Sequence, residues 1–252
     1  MTVPKTHPRY KSLMTRETIA EGVEKGIASM HGLMAHGRGE AFDYLIGEKT
    51  TKAAKRSISA AAALLLTAKN PVISVNGNAA ALVPKELVQL SKTIPAKLEI
   101  NIFHASKQRE LKIKNYLIKN GAKEVLLPEK NTKIKYLGSN RKYVNKDGIY
   151  RADVVFVPLE DGDRTEALIK NKKKVIAIDL NPMSRTAKKA TITIVDNIIR
   201  AIPLLVNTIK KYKKFNFKKL LKIIKNYDNK EMLKEALKEI DRNLTKKVVN
   251  CP

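Results

Sequence analysis

The sequence predicts an α/β protein with a mostly parallel sheet of about five or six strands, flanked by helices. Short apolar runs, rich in β-branched residues, recur along the middle of the chain and are typical of buried strands. Helical patterns separate most of these runs, and strands that alternate with helices predict right-handed βαβ units. The chain has 252 residues, 43% of them hydrophobic, so it is long enough to bury a sizeable core.

Helices are expected before the first strand. Apolar residues recur at helical spacing over residues 15–30, which predicts an N-terminal helix. The polar, glycine-rich residues 31–40 are interpreted as a loop. A second helix is expected over residues 50–68, and it is predicted to be buried because residues 60–66 are apolar all round.

The predicted strands form a Rossmann-like sheet. They cover residues 72–75, 98–103, 124–127, 154–157, 175–178 and 192–195. Helical patterns over residues 106–120 and 164–171 lie between them, and Gly121 is expected to end the first of these helices. Residues 128–150 form a long polar segment, which is interpreted as an excursion or lid rather than core.

The C-terminal part of the chain is expected to be helical and basic. A strong helix is predicted over residues 198–214, and two amphipathic lysine-rich helices over residues 217–227 and 230–244. We therefore divide the chain into a Rossmann-like domain, residues 1–209, which includes the N-terminal helices, and a basic helical appendage, residues 210–252.

The formal net charge of +26 raises the hypothesis of a nucleic-acid-binding protein. The 39 Lys and 11 Arg residues are spread along the whole chain, however, and base-stacking aromatic residues are sparse. The most lopsided segment is residues 210–252, with fourteen Lys and Arg against five Asp and Glu. A small anionic substrate would also exploit a positive field, so nucleic-acid binding is kept as the alternative and no specific nucleic acid is expected.

Several kinds of site are not expected. Cys251 is the one cysteine, so neither an internal disulfide nor a cysteine-based metal site is predicted, which suits a cytoplasmic protein. The four histidines lack zinc spacing. The most apolar stretch, residues 57–68, is too short to span a bilayer, so no membrane partner is expected. Residues 37–39 and 47–50 match neither a dinucleotide fingerprint nor a P-loop.

Polar loops follow four of the predicted strands. In a parallel sheet such loops meet at the carboxyl edge, where ligands bind. Each loop alone is also explained as a turn or a helix cap, but four on one edge favour a binding site. These loops cover residues 76–78, 158–165, 179–186 and 196–197.

Arginine is scarce in this chain, yet six of the eleven lie in or beside the polar segments. A guanidinium grips phosphate or carboxylate in bidentate fashion, so these positions favour anion binding. Chance placement or structural ion pairs would also account for them. They are Arg9, Arg16, Arg38, Arg164, Arg185 and Arg200.

The same polar segments resemble those of the archaeal phosphopantothenate synthetases, also called 4-phosphopantoate–β-alanine ligases. The stretches that carry the resemblance are residues 7–10, 16–17, 35–50, 75–78, 157–167, 178–187 and 194–198. The long motif at 35–50 and the segment at 159–167 are the most specific to that family. The lysine-rich region after about Lys210 is taken to lie outside the resemblance.

The resemblance implies an ATP-dependent ligase of coenzyme A biosynthesis. Such an enzyme condenses 4-phosphopantoate with β-alanine to 4′-phosphopantothenate and releases AMP and pyrophosphate, which indicates an acyl-adenylate. The family also implies a homodimer with a Rossmann-like core. ATP is the expected co-substrate, accompanied by Mg²⁺.

Site residues follow from the resemblance in part. The family's ATP contacts fall on Arg16, Arg38, Asp179, Leu180, Asn181, Arg185, Thr186, Asn197 and Ile198. Arg16 and Arg38 would neutralise phosphates, and the helix that opens at Asn197 would offer free N–H groups to an anion. Position alone assigns a weaker set to the acid substrate or to Mg²⁺: Asn76, Asn78, Asp161, Asp163 and Arg164. No general base is identified from the sequence.

Overall fold

The computed structural model describes residues 3–159 and 161–249. Cys251 and the end of the predicted basic appendage lie outside the described residues, as does Glu160 in one of the polar loops. Within the two described ranges, no helix combines the length and the apolarity that a membrane span requires.

The helices and strands alternate along the middle of the chain, as predicted. The helices are α1 (Tyr10–Glu24), α2 (Met30–Ile46), α3 (Lys52–Thr67), α4 (Gly77–Leu82), α5 (Pro84–Thr93), α6 (Lys107–Lys119), α7 (Gly162–Lys170), α8 (Arg185–Lys189), α9 (Ile198–Tyr212), α10 (Phe217–Lys225) and α11 (Asn229–Val249). The strands are β1 (Pro71–Val75), β2 (Lys97–Ile100), β3 (Val154–Val157), β4 (Lys174–Ile178) and β5 (Ile192–Ile194).

The strands form one parallel sheet in the order β2-β1-β3-β4-β5. This confirms the predicted α/β class and the predicted number of strands. Val155 of the central strand aligns with Val72 of β1 on one side and Val175 of β4 on the other. The chain runs outward from β1 to β2 and then crosses back to β3, so the topological switch point lies between β1 and β3.

The sheet is buried on both faces. Strand side chains alternate between the two faces, so each strand contributes to two cores. Ile73, Phe156 and Ile176 belong to a large core that also contains residues of α3, α5 and α9. Val155 and Val175 point into a second core on the opposite face, together with Leu168 of α7.

The prediction of a strand at residues 124–127 is wrong. Of these residues only Leu126 pairs with the edge strand β2, where its N–H donates to the Leu98 carbonyl (2.8 Å) and its carbonyl accepts from the Ile100 N–H (3.0 Å). Pro128 follows two residues later and has no N–H to continue a ladder.

The interpretation of residues 31–40 as a loop is also wrong, because they lie within α2. The Ser29 side chain accepts a hydrogen bond from a backbone N–H of the first turn, and Gly47 ends the helix in the left-handed region at φ +90°. The predicted helix over residues 15–30 is correspondingly divided, since the chain turns at Gly26 with φ +69°. Glycines inside α2 gave this segment the composition of a loop.

Residues 128–150 are not an excursion or lid, and that interpretation is wrong. Ile134, Val144 and Ile149 are buried in the second core against β3 and β4. The segment therefore forms, beside α7, the layer that covers this face of the sheet. Its few apolar residues are widely spaced and follow no helical or strand period, so the sequence pattern did not indicate burial.

The C-terminal helices pack on the rest of the molecule. Both α10 and α11 contact α3, and α11 also contacts α2. The Asn229 side chain accepts from the Thr193 N–H (2.7 Å) and donates to the Ala187 carbonyl (2.8 Å), which joins the start of α11 to the edge strand β5. The boundary between a domain and an appendage at residue 209 stays a prediction.

Candidate active site

A cleft of about 290 Å³ lies along the carboxyl edge of the sheet. The segments that follow all five strands contribute to its wall, and so do residues of α2. The switch point between β1 and β3 is where a doubly wound sheet opens a crevice for a ligand, so the strand order itself accounts for the position of this cleft.

Eight residues that were singled out from the sequence line the cleft. Six of them belong to the set expected to contact ATP, and two to the weaker set expected to contact the acid. They are Arg38, Asp179, Leu180, Asn181, Asn197 and Ile198, with Asn76 and Asn78. The fold thus brings these positions together, while their contacts with ligands stay predictions.

Asp179 is held in place at the end of β4. One carboxylate oxygen accepts from the Asn181 N–H (2.9 Å), and the other accepts from the Ser184 hydroxyl. Ser184 also caps α8, because its oxygen accepts from the Ala187 N–H (2.9 Å). The loop after β4 is therefore a preorganised turn that presents Asp179 in the cleft wall.

Asn197 caps the 15-residue helix α9 beside the cleft. Its side-chain oxygen accepts from the Ile199 N–H (3.2 Å), and its amide donates to Asp43 (2.8 Å). The buried neighbour Asp196 accepts from Arg200 (2.9 Å); burial nevertheless raises the pKa of Asp196 above its ordinary value. This network fixes the N-terminus of α9, where the helix dipole favours an anion.

Arg16 reaches the site through Glu40. The Arg16 Nε donates to both carboxylate oxygens of Glu40 (2.9 and 2.8 Å), and Arg9 donates to the same carboxylate (3.1 Å). Burial alone would raise the pKa of Glu40, but the hydrogen bonds from Arg16 and Ser12 hold it below its ordinary value. Glu40 lines both the cleft and a second cavity of about 440 Å³ next to it.

His36 lies in the wall that the cleft and the second cavity share. Burial lowers the pKa of His36 below its ordinary value, and the nearby Glu40 only partly opposes this. The imidazole is therefore neutral at physiological pH and carries a nitrogen lone pair that can accept a proton or a hydrogen bond.

Five other singled-out residues lie away from the cleft wall. Arg185 and Asp163 are exposed and pair with each other, and Arg185 also pairs with Glu166 (2.6 Å). Thr186 is buried and its hydroxyl accepts from the Asp161 N–H (3.0 Å). The remaining two, Asp161 and Arg164, form a buried ion pair (2.7 Å) behind the loops. Roles for these five in ligand contact stay predictions.

Sequence reasoning missed one corner of the cleft. Phe103, His104 and Arg109 follow β2, and Arg141 comes from the segment that was interpreted as a lid. The rule that ligands bind at the carboxyl ends of strands applies equally to the loop after β2 and could have identified the first three. No comparable signal marks Arg141, because it follows no strand.

The fold and the cleft define a doubly wound α/β protein with a candidate ligand site at the switch point of its sheet. Comparison with known families identifies it further. The model of the phosphopantothenate/pantothenate synthetase family matches residues 53–243, and the chain belongs to this family.

Curated relatives align with nearly the whole chain. A protein of Thermococcus kodakarensis is 51% identical over 98% of this chain and 95% of its own, and one of Thermococcus onnurineus is 53% identical over 97% and 94%. A protein of Methanosarcina mazei is 50% identical over 96% and 95%. Each of the three is named 4-phosphopantoate–β-alanine ligase.

The extent of this similarity corrects one expectation. The sequence places the region after about Lys210 outside the resemblance, but the family match continues to residue 243. Apolar positions of α10 and α11, such as Leu220, Met232 and Ala236, are buried against the core. The lysine-rich composition concealed this packing, because only one stripe of each helix is apolar.

Proposed function

We propose that this chain is a cytoplasmic ATP-dependent ligase that condenses 4-phosphopantoate with β-alanine to 4′-phosphopantothenate, in coenzyme A biosynthesis. The observation that carries the proposal is the convergence of Arg38, the loop at 179–181 and the N-terminus of α9 on one cleft. The resemblance assigns ATP to these positions, and they lie in the wall of a single cleft. The names of relatives that align over almost the full chain support the same reaction.

The chemistry follows from what an amide bond requires. The carboxylate of 4-phosphopantoate attacks the α-phosphorus of ATP, so a C–O–P linkage forms and pyrophosphate leaves. The amine of β-alanine then attacks the acyl carbon, the C–O bond breaks, AMP leaves and the amine gives up a proton. Arg38 and the N–H groups at Ile198 would balance the charge of the phosphates, and positioning supplies most of the acceleration.

Mg²⁺ would enter with ATP rather than occupy a site built by the protein. Among the described residues no three His, Cys, Asp or Glu side chains form a group suited to a metal ion. Mg²⁺ commonly keeps waters and binds through one or two carboxylates plus substrate phosphates. Asp179 is a carboxylate of the cleft wall that fits this partial role.

We also propose that two copies associate. Met30 and Met34 of α2 have 61% and 66% of their surface exposed, and Phe103 has 54%. Large exposed apolar side chains of this kind are typical of interfaces. Sedimentation of the purified protein, with a chain mass of 28.2 kDa, would give twice that mass for a dimer, and a monomer at micromolar concentration would refute the proposal.

The function is tested by following AMP and pyrophosphate with ATP, Mg²⁺, 4-phosphopantoate and β-alanine present, and with each omitted in turn. We expect AMP only when both organic substrates are present, and exchange of labelled pyrophosphate into ATP with the acid alone. ADP in place of AMP would contradict the adenylate. No turnover under any condition would contradict the ligase.

A pair of variants tests the proposed contact between Arg38 and ATP. Arg38→Gln should raise KM for ATP by about 10- to 100-fold, the range expected when a charge-assisted hydrogen bond is lost. Arg56→Gln is the control, because Arg56 lies on α3 and forms an exposed pair with Glu231 (3.2 Å). Equal kinetics for the two variants would show that Arg38 does not contact ATP.

A further inference from the structure

Two guanidinium groups lie at the β2 end of the cleft. Arg109 belongs to the first turn of α6, and Arg141 comes from the segment that covers the second face of the sheet. His104 and Phe103 connect them, because Arg109 donates to the His104 carbonyl (3.2 Å) and the Arg141 guanidinium lies over the Phe103 ring (5.5 Å). No sequence motif marks this corner, and the resemblance assigns no ligand to it.

Arg109 has no carboxylate partner among the described residues. Its guanidinium donates to two neutral main-chain carbonyls, those of Ile27 (3.1 Å) and His104 (3.2 Å). A Cβ on Gly77 would lie 2.6 Å from Arg109 Nη2 and 2.4 Å from the Ile27 carbonyl, so the absent side chain at this position makes room for the guanidinium. The charge of Arg109 is thus placed in the cleft wall without an anion to balance it.

Buried residues next to the cleft wall fix the position of Arg141. Its guanidinium pairs with Asp161, which also pairs with the fully buried Arg164 (2.7 Å). Asn101 accepts from Arg164 (2.7 Å) and donates to the Arg141 carbonyl (3.1 Å), which links the same residues a second time. A single carboxylate therefore serves two guanidinium groups, and this buried cluster fixes the position of Arg141.

The charges of the cleft are divided between its ends. Its carboxylates are those of Glu40 on α2 and of Asp179 and Asp196 after β4 and β5. The β2 end has Arg109 and Arg141 in its wall, and the described wall has no carboxylate there. β2 and β5 are four strand spacings apart, roughly 19 Å, which is enough to keep two substrates side by side.

We propose that Arg109 and Arg141 form the subsite for the phosphate of the phosphorylated hydroxy acid, an inference that rests on the proposed function. A phosphate monoester carries about −1.5 to −2 charges and three acceptor oxygens, which match two guanidinium forks better than a single carboxylate does. The acid's own carboxylate must reach ATP, so its phosphate lies at the far end of the cleft. Asp161 and Arg164 then act as positioning residues for Arg141 rather than as ligands of the substrate.

Kinetics with two acids test the subsite. For Arg141→Lys and Arg109→Lys, which keep the charge but lose the fork, we expect kcat/KM for 4-phosphopantoate to fall about 10- to 100-fold. KM for ATP and for β-alanine should change less than about twofold, and any turnover of unphosphorylated pantoate, which lacks the phosphate, should not change. Arg151→Gln is the matched control, since Arg151 directly follows the same segment and forms an exposed pair with Asp147 (2.8 Å).

Each other outcome overturns the inference. A rise confined to KM for ATP would assign the two arginines to the nucleotide, and a rise confined to KM for β-alanine would assign them to its carboxylate. Unchanged kinetics for 4-phosphopantoate in both variants would refute the subsite while leaving the ligase intact.

Calorimetry separates this inference from the proposed function. Titration of inorganic phosphate into the full chain measures the subsite without any turnover. The subsite predicts that phosphate binds to the wild type and to Arg151→Gln, and at least tenfold more weakly to Arg141→Lys. If the wild type catalyses no ligation but this difference is found, the proposed function fails and the anion site stands; equal binding by all three proteins refutes the site.

Discussion

At the scale of single residues, the most unusual group is a buried carboxylate in the edge strand. Glu99 of β2 is inaccessible to solvent and accepts hydrogen bonds from the N–H groups of Asn145 (2.9 Å) and Ile149 (2.6 Å). Gly148 lies against it so closely that a Cβ there would be 1.9 Å from Glu99 Oε2. Glu99 thus fastens the covering segment to the sheet.

The titration of Glu99 should make stability depend on pH. Burial raises the pKa of Glu99 from its ordinary value of 4.5 to about 7, despite the two backbone hydrogen bonds and the nearby Arg164. Because the folded pKa is raised, the contribution of the protonated form is fully present below pH 4.5 and is lost as the pH rises through 7. Over that window the wild type should lose about 3 kcal/mol that Glu99→Gln does not lose.

Urea unfolding at several pH values between 4 and 8 measures this difference. At pH 4 Glu99→Gln is expected to be less stable than the wild type, because its amide group opposes one of the two N–H donors, and the difference should shrink as the pH rises. The informative quantity is therefore the slope against pH. If the free energy of unfolding changed with pH in the same way in both proteins, Glu99 would have an ordinary pKa.

At the scale of elements, α2 shows how glycines with different surroundings act in one helix. A Cβ on Gly37 would meet no atom of the described residues within 4 Å, whereas a Cβ on Gly32 would lie 2.2 Å from the Asn78 side-chain oxygen. Asn78 Nδ2 donates to the Gly32 carbonyl (2.7 Å), and this hydrogen bond positions Asn78 in the cleft wall. A side chain at position 32 would not leave room for it, so glycine is required there. Among the described residues, Gly37 has no such role.

Alanine at these two positions should have opposite effects. Gly37→Ala should stabilise the protein by about 0.5–1 kcal/mol, because alanine has the higher helix propensity. Gly32→Ala should destabilise it by about 1–3 kcal/mol through the clash with Asn78. Thermal unfolding of both variants beside the wild type measures the two shifts. A loss of stability in Gly37→Ala would reveal a contact beyond the described residues, such as one with a second copy.

At the scale of the whole molecule, the C-terminal helices protect the edge of the sheet. Strand β5 lies at that edge, and an uncovered edge leaves backbone groups without partners. Asn229 supplies partners for the Thr193 N–H and the Ala187 carbonyl, both of which are buried. The loop after β5 leads directly to Asn197, so this end of the sheet also supports the cleft.

Asn229→Ala should lower the free energy of unfolding by about 1–3 kcal/mol, because two buried backbone groups lose a partner. The loss is reduced by other contacts, since the Tyr227 hydroxyl lies 3.3 Å from the same N–H and the Thr193 hydroxyl donates to Ala187 (2.9 Å). Asn226→Ala is the control, as Asn226 is exposed at the end of α10. Equal stability of the two variants in urea would show that the Asn229 hydrogen bonds to Thr193 and Ala187 do not stabilise the fold.

Much of the architecture could be predicted from the sequence because local patterns dictate it. The runs at 72–75, 154–157 and 175–178 became β1, β3 and β4 with bounds that agree within one residue, since a doubly buried parallel strand must be continuously apolar. The helices α6 and α9 were equally evident from their apolar period. The helix over residues 31–40 is not predicted in this way, because a high glycine content is typical of a loop and outweighs the single cap signal at Ser29.

By itself, the sequence determined the α/β class, the alternation of strands and helices, the family and the four polar loops at the strand ends. Only the tertiary structure decided the strand order, and with it which loops border the same cleft. It also decided that Arg164 is buried behind the site and that Arg141, 40 residues beyond Asn101, lies in its wall. The physical reason is that period and capping act over a few residues, whereas side-chain burial and charge pairing are settled by neighbours far away in the chain.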